Sequence, residues 1–447
     1  MTVDTPSAML GIQAKTRLPW SPMTWVGIVI GFTPLLAGLV FRTYGYHVAP
    51  AKAEILRQLD VPFILVEVAV VMWARGNGLN YRALFMRFDR PAQIALLVFL
   101  GSFWVSSAFI SADPAYSLIR ASFWLVHIAF GFAVFHLAGI PTRDELLRFG
   151  GGLFLGLVAF LPLTAVHLLN APDPASIPEG RIIWSSAIPG CLSVRHLGIW
   201  AALVLAAAVG GLYASGRHRG AEIVFGFLIF LAMAVLLWSG TRSGVFGIGA
   251  ACAACLVTRR EIPPVRLIII ASGATLAAVF ASQAWLPPDP SFGIIQRSTQ
   301  AGGEFTSGRT EMWIKMLHVF AGSPVFGVGE GAVQWLATVG SDRHVQPHNS
   351  VIQMLSSWGL IACLASGYLV LRLLLIVHGM ARRDVAIVPI VLVIDCLLVM
   401  SLADGVLYFS RFIMWFAGFA GLSLAIAARH AEEKQARAPL LARPSTT

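Results

Sequence analysis

The sequence predicts an all-α polytopic membrane protein of about 12 transmembrane helices, and three observations predict it. Of the 447 residues, 57% are hydrophobic. Only 12% are charged, where a soluble domain carries roughly 25%. The apolar residues also come in runs of about 20, the length that crosses the hydrocarbon core of a bilayer. Lipid solvates such a chain directly, whereas water requires a polar surface that these residues cannot supply.

The predicted spans are 22–40, 61–75, 93–112, 119–139, 147–168, 197–215, 221–238, 243–258, 264–284, 349–377, 385–403 and 409–428. The second and the eighth are the shortest. Lys15 and Arg17 precede the first, and no small-x-small cleavage site follows it, so this span is expected to stay as an anchor. The runs follow one another too closely for separate soluble units, which predicts a single transmembrane domain over residues 1–447. Five cysteines, only Cys191 of them in a loop, give no disulfide framework. Cys252 and Cys255 read as small packing residues in an apolar helix.

The net charge of +10 is distributed in short loops and forms no long basic tract, so nucleic acid is not an expected partner. With both termini placed in the cytoplasm, 20 of the 32 lysines and arginines fall in the cytoplasmic segments. That alternation follows the positive-inside rule. Shifting the helix count by one destroys it.

This topology makes residues 285–348 one large outer loop within the domain. Loops of that length usually carry function. Residues 309–320 are amphipathic, with Met312, Met316 and Phe320 on one face, as in a helix lying on the bundle or the membrane surface. The outer face is poor in basic residues by rule, so those it carries need reasons. Six stand out: Arg181, Arg195, Arg242, Arg309, Arg343 and Arg411. Arg242 lies in Ser239-Gly240-Thr241-Arg242-Ser243-Gly244, a turn of a few residues between two apolar runs. A guanidinium there is costly unless it is paired or faces a wet cavity, and its planar fork suits a diphosphate. An arginine snorkelling to lipid headgroups is the plain alternative.

The outer loop re-enters the membrane at Gln346-Pro347-His348-Asn349-Ser350. A neutral imidazole at His348 can accept a proton from an attacking hydroxyl, and Asn349 can cap the helix, orient His348 or contact a sugar. Ser307-Gly308-Arg309-Thr310-Glu311-Met312-Trp313 precedes Pro324-Val325-Phe326-Gly327-Val328-Gly329-Glu330-Gly331, a glycine turn read as flexible before Trp335. Glu67, His127 and Asp395 stand within the apolar runs, where pairing inside the bundle is favoured over transport. Asp404 and Arg411 flank the last outer turn and are expected to pair with each other.

These features, in this order, resemble the bacterial O-antigen ligase and O-antigen polymerase family. SGTRSG at 239–244 is similar to its arginine turn, and SGRTEMW at 307–313 to its GRxxxW segment. PVFGVGEG at 324–331 is similar to its Pro-x-x-Gly-x-Gly turn, and HNSVIQMLSSWGLI at 348–361 to its His-Asn helix start. One position departs: the family often carries an acid where Ser357 stands, two residues before Gly359. Glu330, Asp342 and Glu311 are the candidates to replace it.

The resemblance implies a metal-independent, inverting membrane glycosyltransferase without a cofactor. It implies transfer of a glycan from undecaprenyl diphosphate to an acceptor hydroxyl on the periplasmic face of the bacterial inner membrane, with surrounding membrane lipids as further partners. His348, Arg242 and Arg309 are its catalytic candidates; Arg195, Arg181, Asn349, Arg343 and Arg411 are candidates for substrate binding. An O-antigen ligase acting on the lipid A-core is the leading form, and an O-antigen or exopolysaccharide polymerase is the alternative. A multi-helix secondary transporter or lipid-linked sugar flippase is the competing class. Its site would lie at mid-membrane on repeat-related broken helices, and no repeat is visible.

Overall fold

The computed structural model describes residues 21–41, 60–139, 142–176, 182–216, 218–300, 309–336, 338–339, 342–343 and 346–441. Every predicted span is a helix. In chain order they are α1 (Pro22–Val40), α2 (Val61–Gly76), α3 (Arg90–Val105, continued by a π turn to Ile110), α4 (Pro114–Ala138), α5 (Arg143–Leu169), α6 (Val194–Ala214), α7 (Arg219–Trp238), α8 (Arg242–Arg259) and α9 (Val265–Ala281). The outer loop supplies α10 (Ile294–Gln300) and α11 (Arg309–Gly322), and the chain ends with α12 (Ser350–Ala381), α13 (Val388–Asp404) and α14 (Ser410–Leu441). Among the described residues, nine helices are long and apolar enough to cross a membrane. Of the other three, α2 and α9 have only 16 and 17 residues. Beyond helices there is only a two-residue ladder among the described residues, Thr338–Val339 against Asp342–Arg343.

The helices begin where the sequence offers caps. Ser21 accepts from the Thr24 amide ahead of α1, and Asp89 from the Ala92 amide ahead of α3. Thr142 and Glu145 cap each other's amides at the start of α5. Small residues set the packing. Gly27 and Gly31 of α1 face Gly152 and Gly156 of α5 so closely that a methyl group on any of them would strike the opposite backbone. Without a hydrophobic force between helices in lipid, such close backbone contact drives association. α6 sits at the centre, with 83% of its spanning window buried, against α7 and α13.

α12 is broken. Gly359 takes φ 74°, ψ −176°, and the segment 324–329 is spliced into the gap. Val328 and Gly329 amides donate to the Ser356 and Ser357 carbonyls at 2.8 Å each, and the Leu360 amide donates to Pro324 at 2.8 Å. Backbone groups freed by the break are thereby satisfied inside the membrane, as they must be. The glycine turn read as flexible is therefore pinned. Positive φ at Gly327 and Gly329 lets it pass against α12 and Ser111 without a side chain in the way.

Described residues of the connections assigned to the outside meet at one end of the bundle. Asp60, before α2, reaches Arg411 at the start of α14, which also bonds Gly190, before α6. Arg297 of α10 bonds the turn before α8. Gln346 bonds the end of α13.

Candidate functional site

Four arginines gather at this end. Arg195 lies in the first turn of α6, where Ser193 caps its amide at 3.3 Å. Arg242 opens α8, Arg309 opens α11, and Arg297 comes from α10. Asp404, the last residue of α13 and 7% exposed, is the carboxylate among them. Arg309 donates to Asp404 Oδ1 at 2.8 Å and to the Ala403 carbonyl, and the Ser243 hydroxyl donates to Asp404 Oδ2. Arg195 and Arg297 each feel the charges of Arg242, Arg309 and Asp404.

Arg297 was missed in the sequence, although its place in the outer loop marks it as another basic residue against the positive-inside pattern. Its Nη1 donates to the Gly240 carbonyl at 3.0 Å. The same turn is held from two more directions: the Gly293 amide donates to the Trp238 carbonyl at 2.8 Å, and Trp238 Nε1 donates to the Trp285 carbonyl at 2.9 Å. Ser239 and Thr241 hydroxyls, 2.8 Å apart, fill the space that Gly198 of α6 leaves open. The Arg242 turn is thus fixed before any ligand arrives. Burial, then the neighbouring Arg195, pulls the Arg297 pKa down; Asp404 opposes them and Arg242 and Arg309 add to the lowering. A guanidinium lowered in this way lacks counter-charge, which an incoming anion supplies.

His348 stands just ahead of α12 with φ 56°, a left-handed conformation uncommon for a residue with a side chain. Gln346 Nε2 lies 2.9 Å from His348 Nδ1, and Trp313 of α11 donates to the Pro347 carbonyl at 2.8 Å. His348 lies within electrostatic reach of Asp404, which ties the imidazole to the arginine cluster. Asn349 caps α12, accepting from the Val351 and Ile352 amides at 3.0 and 3.1 Å, while its NH2 donates to the Leu402 carbonyl at 3.0 Å. Of its three expected uses, the cap is the one the structure employs.

Several expectations change. Asp404 and Arg411 do not pair with each other. Arg411 is bidentate to Asp60, with Nη2–Oδ1 at 2.5 Å, and also donates to the Gly190 carbonyl, all of it buried. Asp60 precedes a helix whose first turn packs beneath α14, a proximity no local pattern reveals. Neither Glu330 nor Glu311 takes up the acid's place beside His348. Glu330 is buried against Arg120 at 3.4 Å and accepts from Trp358 Nε1 at 2.5 Å; Glu311 is exposed. Among the described residues an amide, Gln346, lies against the imidazole. Arg343 and Asp342 are described only as strand backbone, and Arg181, Ser307 and Gly308 lie outside the described residues. Within the bundle, Glu67 pairs with His127 at 2.7 Å and Asp395 with His378 at 3.2 Å. Each acid named as support for transport thus has an imidazole partner.

Residues 225–367 match the model of a family described as O-antigen ligase. The match runs from α7 into α12, and it contains Arg242, Arg297, Arg309, the spliced glycine turn and His348. Over those residues the chain is similar to the O-antigen ligase family. No curated protein matches the chain.

Proposed function

We propose that this protein, similar to the O-antigen ligase family over residues 225–367, transfers a glycan from a lipid-linked diphosphate donor, undecaprenyl diphosphate, to the hydroxyl of a lipid A-core acceptor at the periplasmic face of the inner membrane. The observation that carries the reading is the gathering of Arg195, Arg242, Arg297 and Arg309 around one carboxylate, Asp404, beside His348. Such a cluster attracts a multiply charged anion, and its place at a bundle end suits a headgroup at the membrane surface.

The chemistry follows from the charges. As the bond from the anomeric carbon to the diphosphate breaks, negative charge grows on the departing oxygen. Guanidiniums already fixed in place stabilise that charge more in the transition state than in the ground state. The acceptor attacks from the opposite face, and one displacement inverts the anomeric centre. Arg309 is the cation most closely held, by Asp404 and Ala403, so it is preorganised. Arg242 is set by its turn and lies within electrostatic reach of Arg195 and Arg297.

Purified protein in liposomes with lipid-linked donor and acceptor tests the reading. Glycan attached to lipid A-core supports it; no product with any hydroxyl acceptor overturns it. In a deletion strain, accumulated lipid-linked polymer with uncapped lipopolysaccharide identifies a ligase. Accumulated single lipid-linked repeats identify a polymerase instead.

A further inference from the structure

Gln346 decides which nitrogen of His348 carries the proton. Its Oε1 accepts from the His348 backbone N–H at 2.6 Å. A backbone N–H can only donate, so that contact fixes which end of the carboxamide is which. The NH2 end then makes the other two contacts, to the Asp404 backbone carbonyl at 3.2 Å and to His348 Nδ1 at 2.9 Å. The carbonyl can only accept, which gives the same orientation independently. An NH2 group can only donate, so Nδ1 must offer its lone pair. A neutral imidazole has one N–H, and here it sits on Nε2.

The backbone is shaped for this arrangement. The left-handed φ of 56° at His348 lets its own amide and ring nitrogen both face Gln346. Gly405, at φ 57°, leaves the space the carboxamide fills; a methyl group there would collide with Gln346 Oε1. Gln346 is 1% exposed, so water does not compete for these bonds.

We propose that Gln346 is a positioning residue that holds neutral His348 as the Nε2–H tautomer, so that His348 serves transfer as a hydrogen-bond donor and not as the base for the acceptor hydroxyl. This rests on the glycan-transfer reading above. In the step, the acceptor oxygen bonds to the anomeric carbon while the bond from that carbon to the diphosphate oxygen breaks, its electron pair leaving with the diphosphate. The Nε2–H of His348 bonds the oxygen that gains this charge, and the acceptor's proton, on the opposite side of the anomeric carbon, leaves to solvent water as the new bond forms. Asp404 from α13, itself held by Arg309 from α11, is a charged group within electrostatic reach of the imidazole.

Two variants give opposite answers for a donor and a base. A carboxamide at position 348 can donate but cannot take up a proton. His348→Gln is therefore expected to turn over at least about tenfold faster than His348→Ala, a remnant on the scale of one directed hydrogen bond. Equal loss in both overturns the proposal. Gln346→Glu places an acceptor against Nδ1 and moves the proton there, so Nε2–H survives only in the imidazolium. Turnover of Gln346→Glu is then expected to fall as pH rises through about 5 to 8, the histidine range; a rise overturns the proposal. The 15N spectrum of the wild-type ring without donor, assigned against His348→Ala, is expected to show Nδ1 unprotonated. A protonated Nδ1 contradicts the proposal even if the glycan-transfer reading holds. Absence of wild-type transfer sinks that reading while the ring spectrum still reports the tautomer.

Discussion

Two populations of arginine in this molecule differ in how their charge is met. In the first, each guanidinium has its own acid: Arg411 with Asp60, Arg120 with Glu330, Arg266 with Glu222 and Arg372 with Asp89. In the second, Arg195, Arg242, Arg297 and Arg309 act on one another around Asp404. One-to-one pairs tie helices together and leave no charge over. Among the described residues the cluster sets four guanidiniums around one carboxylate, and such an excess at the end of a membrane bundle is a place for an anion. Exposure alone does not separate the two groups, since Arg411 is buried and Arg372 is not.

The largest expected effect lies in the cluster. Arg242→Ala should lower turnover about 10²- to 10³-fold, the usual cost of one preorganised donor at a developing charge. Thermal unfolding in detergent should barely move. Arg242→Lys should remain badly impaired, because an ammonium cannot make the paired bonds; wild-type rates in that variant would reduce the requirement to a point charge. Breaking a one-to-one pair should give the reverse pattern. Asp60→Asn strands a buried guanidinium and should cost about 3–5 kcal/mol of stability, read as a lower thermal midpoint, while the protein that remains folded transfers glycan.

Arg297→Lys should fall between these outcomes. It loses the bond that holds the Gly240 carbonyl, and donor use should weaken about tenfold, in proportion to one charged hydrogen bond. A change in KM with kcat retained would mean that Arg297 serves binding alone. The smallest effect belongs to Arg372→Ala. Its pair with Asp89 is solvent-exposed, with side chains 36% and 48% accessible, and such pairs contribute little to stability. Transfer should be unchanged.

The helices were legible because the signal for them is local. Apolar runs of bilayer length became helices. Arg242, Arg309 and His348 were legible for a related reason: a charge or an imidazole between apolar runs is conspicuous. Their surroundings were hidden by distance along the chain. Asp404 reaches Arg309 across 95 positions and Arg411 reaches Asp60 across 351, so the nearest acid in sequence was the wrong partner. The break at Gly359 was invisible because the residues around it are as apolar as any continuous helix. Gln346 carries no charge, and its importance lies in which atoms its carboxamide faces.

Binding of a short-chain prenyl diphosphate to the purified protein and its variants tests the central claim most directly. Arg242→Ala and Arg309→Ala should each raise the Kd at least about tenfold, as expected for losing a charged hydrogen bond, while Arg372→Ala binds like wild type. Undiminished diphosphate binding in both cluster variants would contradict the account.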